Sequence, residues 1–105
     1  MKESMLQKAC LGYLQSLENK GFPVISTRTN AGKIKKGAYW LQLCRKGWPD
    51  ITTCIKGQFY GFEIKANHKQ TKEQIQMEQK FKNAGAIYAL FDNISDFRAY
   101  IDRIF

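Results

Sequence analysis

Residues 47–65 read GWPDITTCIKGQFYGFEIK, and this stretch decides the fold. β-Branched residues dominate Ile51–Ile55 and aromatic residues dominate residues 59–64, so each run predicts a β-strand. Lys56 and Gly57 stand between the runs as a two-residue loop, in which glycine takes a positive φ without steric cost. The stretch therefore predicts an antiparallel hairpin.

The short loop also sets the register of this hairpin. If Ile55 lies opposite Gln58, counting back along both strands brings Asp50 opposite Glu63. Opposed side chains have Cβ atoms about 4.5–5.5 Å apart, where two carboxylates repel each other unless a divalent cation lies between them. Lys65 follows Glu63 by two positions and therefore lies on the same face of the strand. The hairpin is predicted to present Asp, Glu and Lys together.

These residue types suit one chemistry. Asp50 and Glu63 offer hard oxygen ligands for Mg²⁺ or Mn²⁺, and the backbone carbonyl of Ile64 adds a further ligand. A metal held in this way lowers the pKa of a bound water and neutralises a phosphate oxygen. Lys65 can position or activate that water and offset the charge of the transition state. The set predicts hydrolysis of a phosphodiester.

Composition points to the same class of substrate. The 105 residues include 17 Lys+Arg against 9 Asp+Glu, a formal charge of +8, which indicates a polyanionic partner such as nucleic acid. A basic but passive surface is the alternative. His68 is the single histidine, and the three cysteines form no Cys-x-x-Cys, which argues against a two-histidine mechanism and a zinc site.

The length suits one domain over residues 1–105. The sequence has no apolar run long enough to cross a membrane and no apolar signal-peptide core behind its N-terminus. We therefore expect a cytoplasmic protein.

A long basic connection is predicted over residues 30–46, with a short strand at 39–43 inside it. The predicted nucleic-acid-binding residues in and beside it are Arg28, Asn30, Lys33, Lys35, Lys36, Arg45 and Lys46. The aromatic residues Tyr39, Trp40 and Trp48 stand among them. Stacking on bases and packing on the core are both open for these rings, and the usual burial of aromatic side chains favours packing.

The first helix is predicted over Glu3–Asn19, because apolar residues recur there at three- and four-residue steps. Glu3 falls within about 50° of the centre of the apolar face, whereas Glu18 falls roughly 110° from it. Glu3 either complements the helix dipole while lying in water or has a functional role.

A strand follows at residues 24–29, and a second helix at 71–84 opens with Thr71-Lys72-Glu73-Gln74, which has the form of a capping box. Gln74 is either the reciprocal capping residue or points towards the end of the Glu63 strand. A strand at 86–91 and a last amphipathic helix capped by Ser95 complete the chain. The helix that crosses between the strands at 59–64 and 86–91 predicts parallel pairing, hence an α/β fold with a mixed central sheet flanked by helices.

Pro49-Asp50 and Glu63-Ile64-Lys65 resemble the motif of the PD-(D/E)xK nuclease superfamily, and the finer similarity is to its VRR-NUC (virus-type replication-repair nuclease) family. Further similar features are Glu3 in the first helix, the run at 28–32, Gly47, and Thr71-x-x-Gln74. The resemblance extends over nearly the whole chain, residues 3–91.

This resemblance implies a restriction-endonuclease-like αβββαβ core, with the last helix as an addition, and metal-dependent cleavage of DNA. Asp50, Glu63 and the Ile64 carbonyl would bind Mg²⁺ or Mn²⁺, Lys65 would be catalytic, and Gln74 and Glu3 would complete the site. Short stand-alone members resemble phage proteins that act as homodimers on branched DNA such as four-way (Holliday) junctions, which for a phage protein implies the host cytoplasm; flaps are a further branched substrate.

Two other classes of function stay open. The chain could be a nucleic-acid-binding module that keeps the nuclease fold without cutting, although the full set of acidic and lysine residues argues against this. It could also be a protein–protein adaptor on a basic scaffold, whose binding would be insensitive to salt.

Overall fold

The computed structural model describes residues 2–29, 33–42, 44–67 and 69–105. Its helices and strands follow the chain in this order: α1 (Glu3–Asn19), β1 (Val24–Arg28), β2 (Lys33–Lys36), β3 (Tyr39–Gln42), β4 (Ile51–Ile55), β5 (Gln58–Ile64), α2 (Lys72–Asn83), β6 (Ile87–Phe91) and α3 (Ile94–Ile104). Four strands form one sheet in the order β1-β4-β5-β6, and β2 and β3 form a second sheet.

The predicted central hairpin is formed by β4 and β5. Its register pairs Ile55 with Gln58 and Ile51 with Phe62, as predicted. Lys56 and Gly57 have φ values of 51° and 83°, the pair of positive angles that defines a type I′ turn. This turn matches the right-handed twist of the two strands, so the chain reverses without a bulge. The next step of the register lies beyond the paired residues and sets Asp50 against Glu63.

The mixed sheet is confirmed. β1 runs antiparallel to β4, and β6 runs parallel to β5 after the crossover through α2. α1 and α3 cover one face, where their apolar residues pack on the inward side chains of the sheet. The buried side chains of α1 are Leu6, Cys10, Leu14 and Leu17, at the predicted spacing.

The opposite face of the sheet receives α2. Phe81 of this helix packs against Gly61 of β5, where a Cβ atom would collide with both Phe81 and Pro49. Since side chains alternate along a strand, Glu63 lies on the same face as Gly61. The two faces of the sheet therefore differ. On one face, α1 and α3 enclose most of the core, and on the other, α2 lies beside the polar end of the hairpin.

Three details differ from the prediction. The connection at 30–46 holds two paired strands, β2 and β3, rather than one short strand. The cap of α3 is Asn93, not Ser95, because the Asn93 side chain accepts a hydrogen bond from Asp96 N at 2.8 Å and the helix begins at Ile94. The apolar pattern around Cys54 predicts a position in the core, but this side chain is only half-buried because it lies on the open face of β4.

Candidate active site

Asp50 lies directly before β4 and is held by the strands on both sides. Thr29 N donates a hydrogen bond to the Asp50 carbonyl oxygen at 2.7 Å, which extends the β1–β4 pairing by one residue. On the other side, Ile64 N donates to Asp50 Oδ2 at 2.8 Å. The carboxylate thus takes the place of a backbone partner at the end of β5, and its position is fixed by the sheet.

Glu63 is the most enclosed acidic residue of this site, with 2% of its surface exposed. Gln74 Nε2 donates to Glu63 Oε1 at 2.7 Å, and the Tyr88 hydroxyl lies 3.4 Å from Oε2. Burial, and then the charge of Asp50, raises the pKa of Glu63 to about 9. Burial likewise raises the pKa of Asp50. Both shifts favour the protonated form of these carboxyls when no cation is bound.

Gln74 performs both of the roles that its sequence position left open. Its Oε1 accepts a hydrogen bond from Thr71 N at 2.8 Å, and Thr71 Oγ1 accepts one from Gln74 N at 3.2 Å, which is the capping box. Its Nε2 is the group that donates to Glu63. The two ends of one amide therefore link the start of α2 to the end of β5.

Gly47 brings the segment before Asp50 against the same helix start. Its φ of 86° favours glycine, and a Cβ atom there would collide with the carbonyl oxygen of Glu73 and lie 3.1 Å from Gln74 N. The beginning of α2 thereby touches both the approach to Asp50 and the carboxylate of Glu63. This contact gives a physical reason for a glycine at position 47.

Glu3 and Lys65 complete the predicted set at its margin. Ala66 N donates to Glu3 Oε1 at 3.3 Å, so the Glu3 carboxylate contacts the chain just after Lys65 rather than only water. The charge of Glu3 contributes to raising the pKa of Asp50, whereas the charge of Lys65 acts to lower the pKa of both Asp50 and Glu63. All five predicted side chains are thus gathered around the end of the hairpin.

Tyr88 is a member of this cluster that the sequence did not reveal. It lies in β6, where its parallel partner is Gly61. Burial and the charge of Glu63 hold the pKa of Tyr88 well above its usual range. The phenol therefore keeps its proton and donates a hydrogen bond to the carboxylate. The signal for it would have been the register between β5 and β6. Local sequence patterns do not specify this register, because the crossover through α2 separates the two strands along the chain.

The donor set can be tested against the metal that the sequence implies. Across the described ranges, no three His, Cys, Asp or Glu side chains converge as a metal cluster. Two opposed carboxylates fit Mg²⁺ or Mn²⁺, because these ions accept one or two carboxylates and fill their remaining positions with water, carbonyl or phosphate oxygens. Burial raises the pKa of both acids, and a divalent cation would offset this penalty on their charged forms.

The structure describes most of the predicted nucleic-acid-binding residues. Arg28, Lys35, Lys36, Arg45 and Lys46 are exposed. Asn30 lies outside the described residues, as does the side chain of Lys33. Lys46 Nζ lies 3.4 Å from a carboxylate oxygen of Glu73 at the surface.

The aromatic residues of this region divide into two groups. Trp48 packs on Phe81, with ring centroids 5.0 Å apart, and donates through Nε1 to Thr52 Oγ1 at 3.2 Å. Core packing is thus confirmed for Trp48. For Tyr39 and Trp40 that expectation is wrong, because 63% and 65% of their surfaces are exposed on β3.

Within the described ranges, the helices are all too short or too polar to cross a bilayer.

Comparisons with known proteins concern the fold. No family model matches the sequence, and no curated protein matches it. A solved structure described as "VRR_NUC domain" matches with a TM-score of 0.69 and 17% sequence identity, over 98% of this chain and 97% of that chain. The predicted fold class is therefore confirmed: three helices and a mixed four-stranded sheet form an α/β fold that matches a VRR_NUC domain over nearly its whole length.

Proposed function

We propose that this protein is a Mg²⁺- or Mn²⁺-dependent endonuclease that hydrolyses phosphodiester bonds of branched DNA. The observation that carries the proposal is the pair Asp50 and Glu63, held against each other by Ile64 N and Gln74 Nε2. Two carboxylates in so enclosed a place cost stability unless a cation binds them. The fold match to a VRR_NUC domain supports the same conclusion.

Asp50, Glu63 and the carbonyl oxygen of Ile64 would hold the cation. When bound, the cation supplies a Lewis acid for a phosphate oxygen and lowers the pKa of a water molecule. Gln74 keeps Glu63 oriented through the 2.7 Å hydrogen bond, and Tyr88 restrains the second oxygen. These contacts hold the acidic pair in place before DNA arrives.

Lys65 supports the hydrolysis itself. Its ammonium group orients the attacking water and stabilises negative charge on the phosphate as the reaction proceeds. The water oxygen forms a bond to phosphorus, the bond to the leaving sugar oxygen breaks, and protons exchange with solvent. Glu3, bound to Ala66 N, fixes the segment that follows Lys65.

Charge and symmetry support the proposed substrate class. The formal charge of +8 and the exposed cations at Arg28, Arg45 and Lys46 suit a phosphate backbone. One domain offers one acidic pair, whereas a symmetric four-way junction must be cut on two strands. We therefore include a homodimer with two-fold symmetry in the proposal.

Cleavage assays test this function. Wild type, Asp50→Ala and Lys65→Ala are compared on junction, flap and linear duplex DNA with Mn²⁺ and with EDTA. We expect wild type to cut branched DNA only with the metal, and each variant to lose about 10²-fold or more in rate. Glu18→Ala and Lys20→Ala remove exposed charges of the same sign elsewhere and serve as controls.

Equal cleavage by all the proteins would contradict the assignment. Tight DNA binding by wild type with no metal-dependent product on any substrate would instead indicate a non-cutting binding module.

A further inference from the structure

The β2–β3 hairpin forms a sheet of its own. Lys36 pairs with Tyr39 and Lys35 pairs with Trp40 around a turn in which Gly37 has a φ of 59°. Among the described residues, its strands pair only with each other and not with the four-stranded sheet. A hairpin of two strands is at best marginally stable alone in water. It is therefore suited to being ordered by a partner.

The side chains of this hairpin are unusually exposed for their type. Tyr39, Trp40 and Leu41 expose 63%, 65% and 43% of their surfaces. Large apolar side chains that cluster on the surface indicate an interaction site.

Both faces of the hairpin carry the same chemical combination. Side chains alternate along a strand, so the pair Lys36 and Tyr39 lies on one face and the pair Lys35 and Trp40 on the other. Among the hairpin side chains that the structure describes, each face thus presents a cation and an aromatic ring. Cations bind phosphates and rings stack on bases, which is how proteins bind single-stranded nucleic acid. A hairpin equipped on both faces suits a ligand that surrounds it.

Thr29 and Gly47, which flank the hairpin in the sequence, both lie close to the acidic pair. On the N-terminal side, Thr29 N is hydrogen-bonded to the carbonyl of Asp50. On the C-terminal side, Gly47 packs on Glu73 and Gln74. DNA held at Asp50 and Glu63 is therefore within reach of the hairpin.

Charge distinguishes a nucleic acid from a second copy of this chain as the partner. Residues 28–46 contain six Lys and Arg and no Asp or Glu. Two such segments would repel each other at a two-fold axis, whereas a phosphate backbone is complementary to both faces.

We propose that the β2–β3 hairpin selects branched DNA by entering between its arms. Tyr39 and Trp40 stack on bases that the branch leaves unstacked, while Lys35 and Lys36 contact the phosphates on either side. In a continuous duplex each base is already stacked on its neighbours, so the rings gain little there. This inference rests on the proposed function and assigns its substrate preference to named residues.

Binding without cleavage tests the inference. Dissociation constants are measured in EDTA for a four-way junction and for a linear duplex of the same arm sequence. We expect Tyr39→Ala/Trp40→Ala to weaken junction binding roughly tenfold or more and duplex binding less than about twofold. Trp40→Phe, which keeps a stacking ring, should restore most of the contribution of that position. Lys35→Ala/Lys36→Ala should weaken both complexes and reduce the salt slope of log Kd by roughly two.

The control for loss of exposed apolar surface is Ile25→Thr, because Ile25 is also 65% exposed but lies in β1. It should leave the ratio of the two affinities unchanged. A second readout is 2-aminopurine at the branch point. We expect wild type to quench its fluorescence, the double aromatic variant to quench it far less, and the same probe inside an arm to show little change.

Equal effects of the aromatic double variant on junction and duplex, or no effect on either, would overturn the inference. Loss of a dimer in sedimentation with unchanged junction selectivity would assign the hairpin to self-association and also overturn it. These outcomes are separate from those of the cleavage assay. Wild type that cuts junctions while the hairpin variants keep full selectivity refutes this inference alone, and selective binding without any cutting refutes the nuclease alone.

Discussion

Glu63 illustrates at the residue scale how the proposed active site lowers the stability of the metal-free protein. Its side chain is 2% exposed, and burial together with Asp50 raises its pKa from 4.5 to about 9. Gln74 and Tyr88 give both of its oxygens a hydrogen-bond donor, yet the charged form stays unfavourable. This unfavourable charge supports the proposal that a cation binds at Glu63.

A pH dependence of stability follows from this shift. A carboxyl whose pKa is higher in the folded state binds the proton more tightly there, so its contribution is fully present below pH 4.5 and is lost as pH rises towards about 9. In EDTA, we expect the free energy of unfolding of wild type to fall between pH 5.5 and 8.5, by up to about 1.4 kcal/mol per pH unit.

Urea unfolding at several pH values measures this dependence. Glu63→Gln, which cannot ionise, should flatten the slope, and Mg²⁺ or Mn²⁺ should reduce the fall in wild type. Identical slopes for wild type and Glu63→Gln would show that the carboxyl does not retain its proton.

At the scale of elements, the beginning of α2 holds the site together. The capping box orients Gln74, whose amide reaches Glu63, and Gly47 places the chain before Asp50 on the same helical turn. A displacement of this turn therefore moves both halves of the acidic pair.

We expect the substitution Gly47→Ala to displace this turn. The φ of 86° at position 47 strains any residue with a Cβ atom, and the new atom would collide with the Glu73 carbonyl. Gly21 has nearly the same φ, 90°, but no atom within 4 Å of an added Cβ, so Gly21→Ala isolates the backbone strain. We expect a loss of about 1 kcal/mol for Gly21→Ala and about 1–3 kcal/mol more for Gly47→Ala.

Thermal or urea unfolding measures the two stabilities, and cleavage of junction DNA measures the site. Activity should fall with Gly47→Ala and persist with Gly21→Ala. Equal stability losses in the two variants, with full activity in both, would contradict the role given to this contact.

At the scale of the whole molecule, the proposed dimer predicts how many strands of each junction are cut. If each subunit cuts one strand of a symmetric junction, mixed dimers of wild type and Asp50→Ala contain one working site. We expect excess Asp50→Ala to shift the product from paired cuts to a single nick in each junction. Native agarose gels of a cruciform plasmid distinguish nicked from linear DNA, and sedimentation at micromolar concentration gives the mass. Only monomer in sedimentation, or paired cuts that persist in the mixture, would contradict the dimer.

Local sequence determined the hairpin at the centre of the fold. Lys56 and Gly57 favour a two-residue turn, and the β-branched and aromatic runs on either side favour strands. Together these preferences set the register that brings Asp50 towards Glu63. The spacing of Leu6, Cys10 and Leu14 determined the buried face of α1 in the same way. These features depend on residues a few positions apart, whose steric preferences act before any tertiary contact forms.

Tertiary structure alone decided the remaining contacts. Tyr88 reaches Glu63 only because β6 pairs in parallel with β5 after the α2 crossover, and Gln74 serves two partners only because α2 packs at that end of the sheet. Likewise, Tyr39 and Trp40 stay exposed because, in the part of the chain that the structure describes, β2 and β3 pair only with each other. Such placements depend on packing between distant segments, which residue type and spacing do not specify.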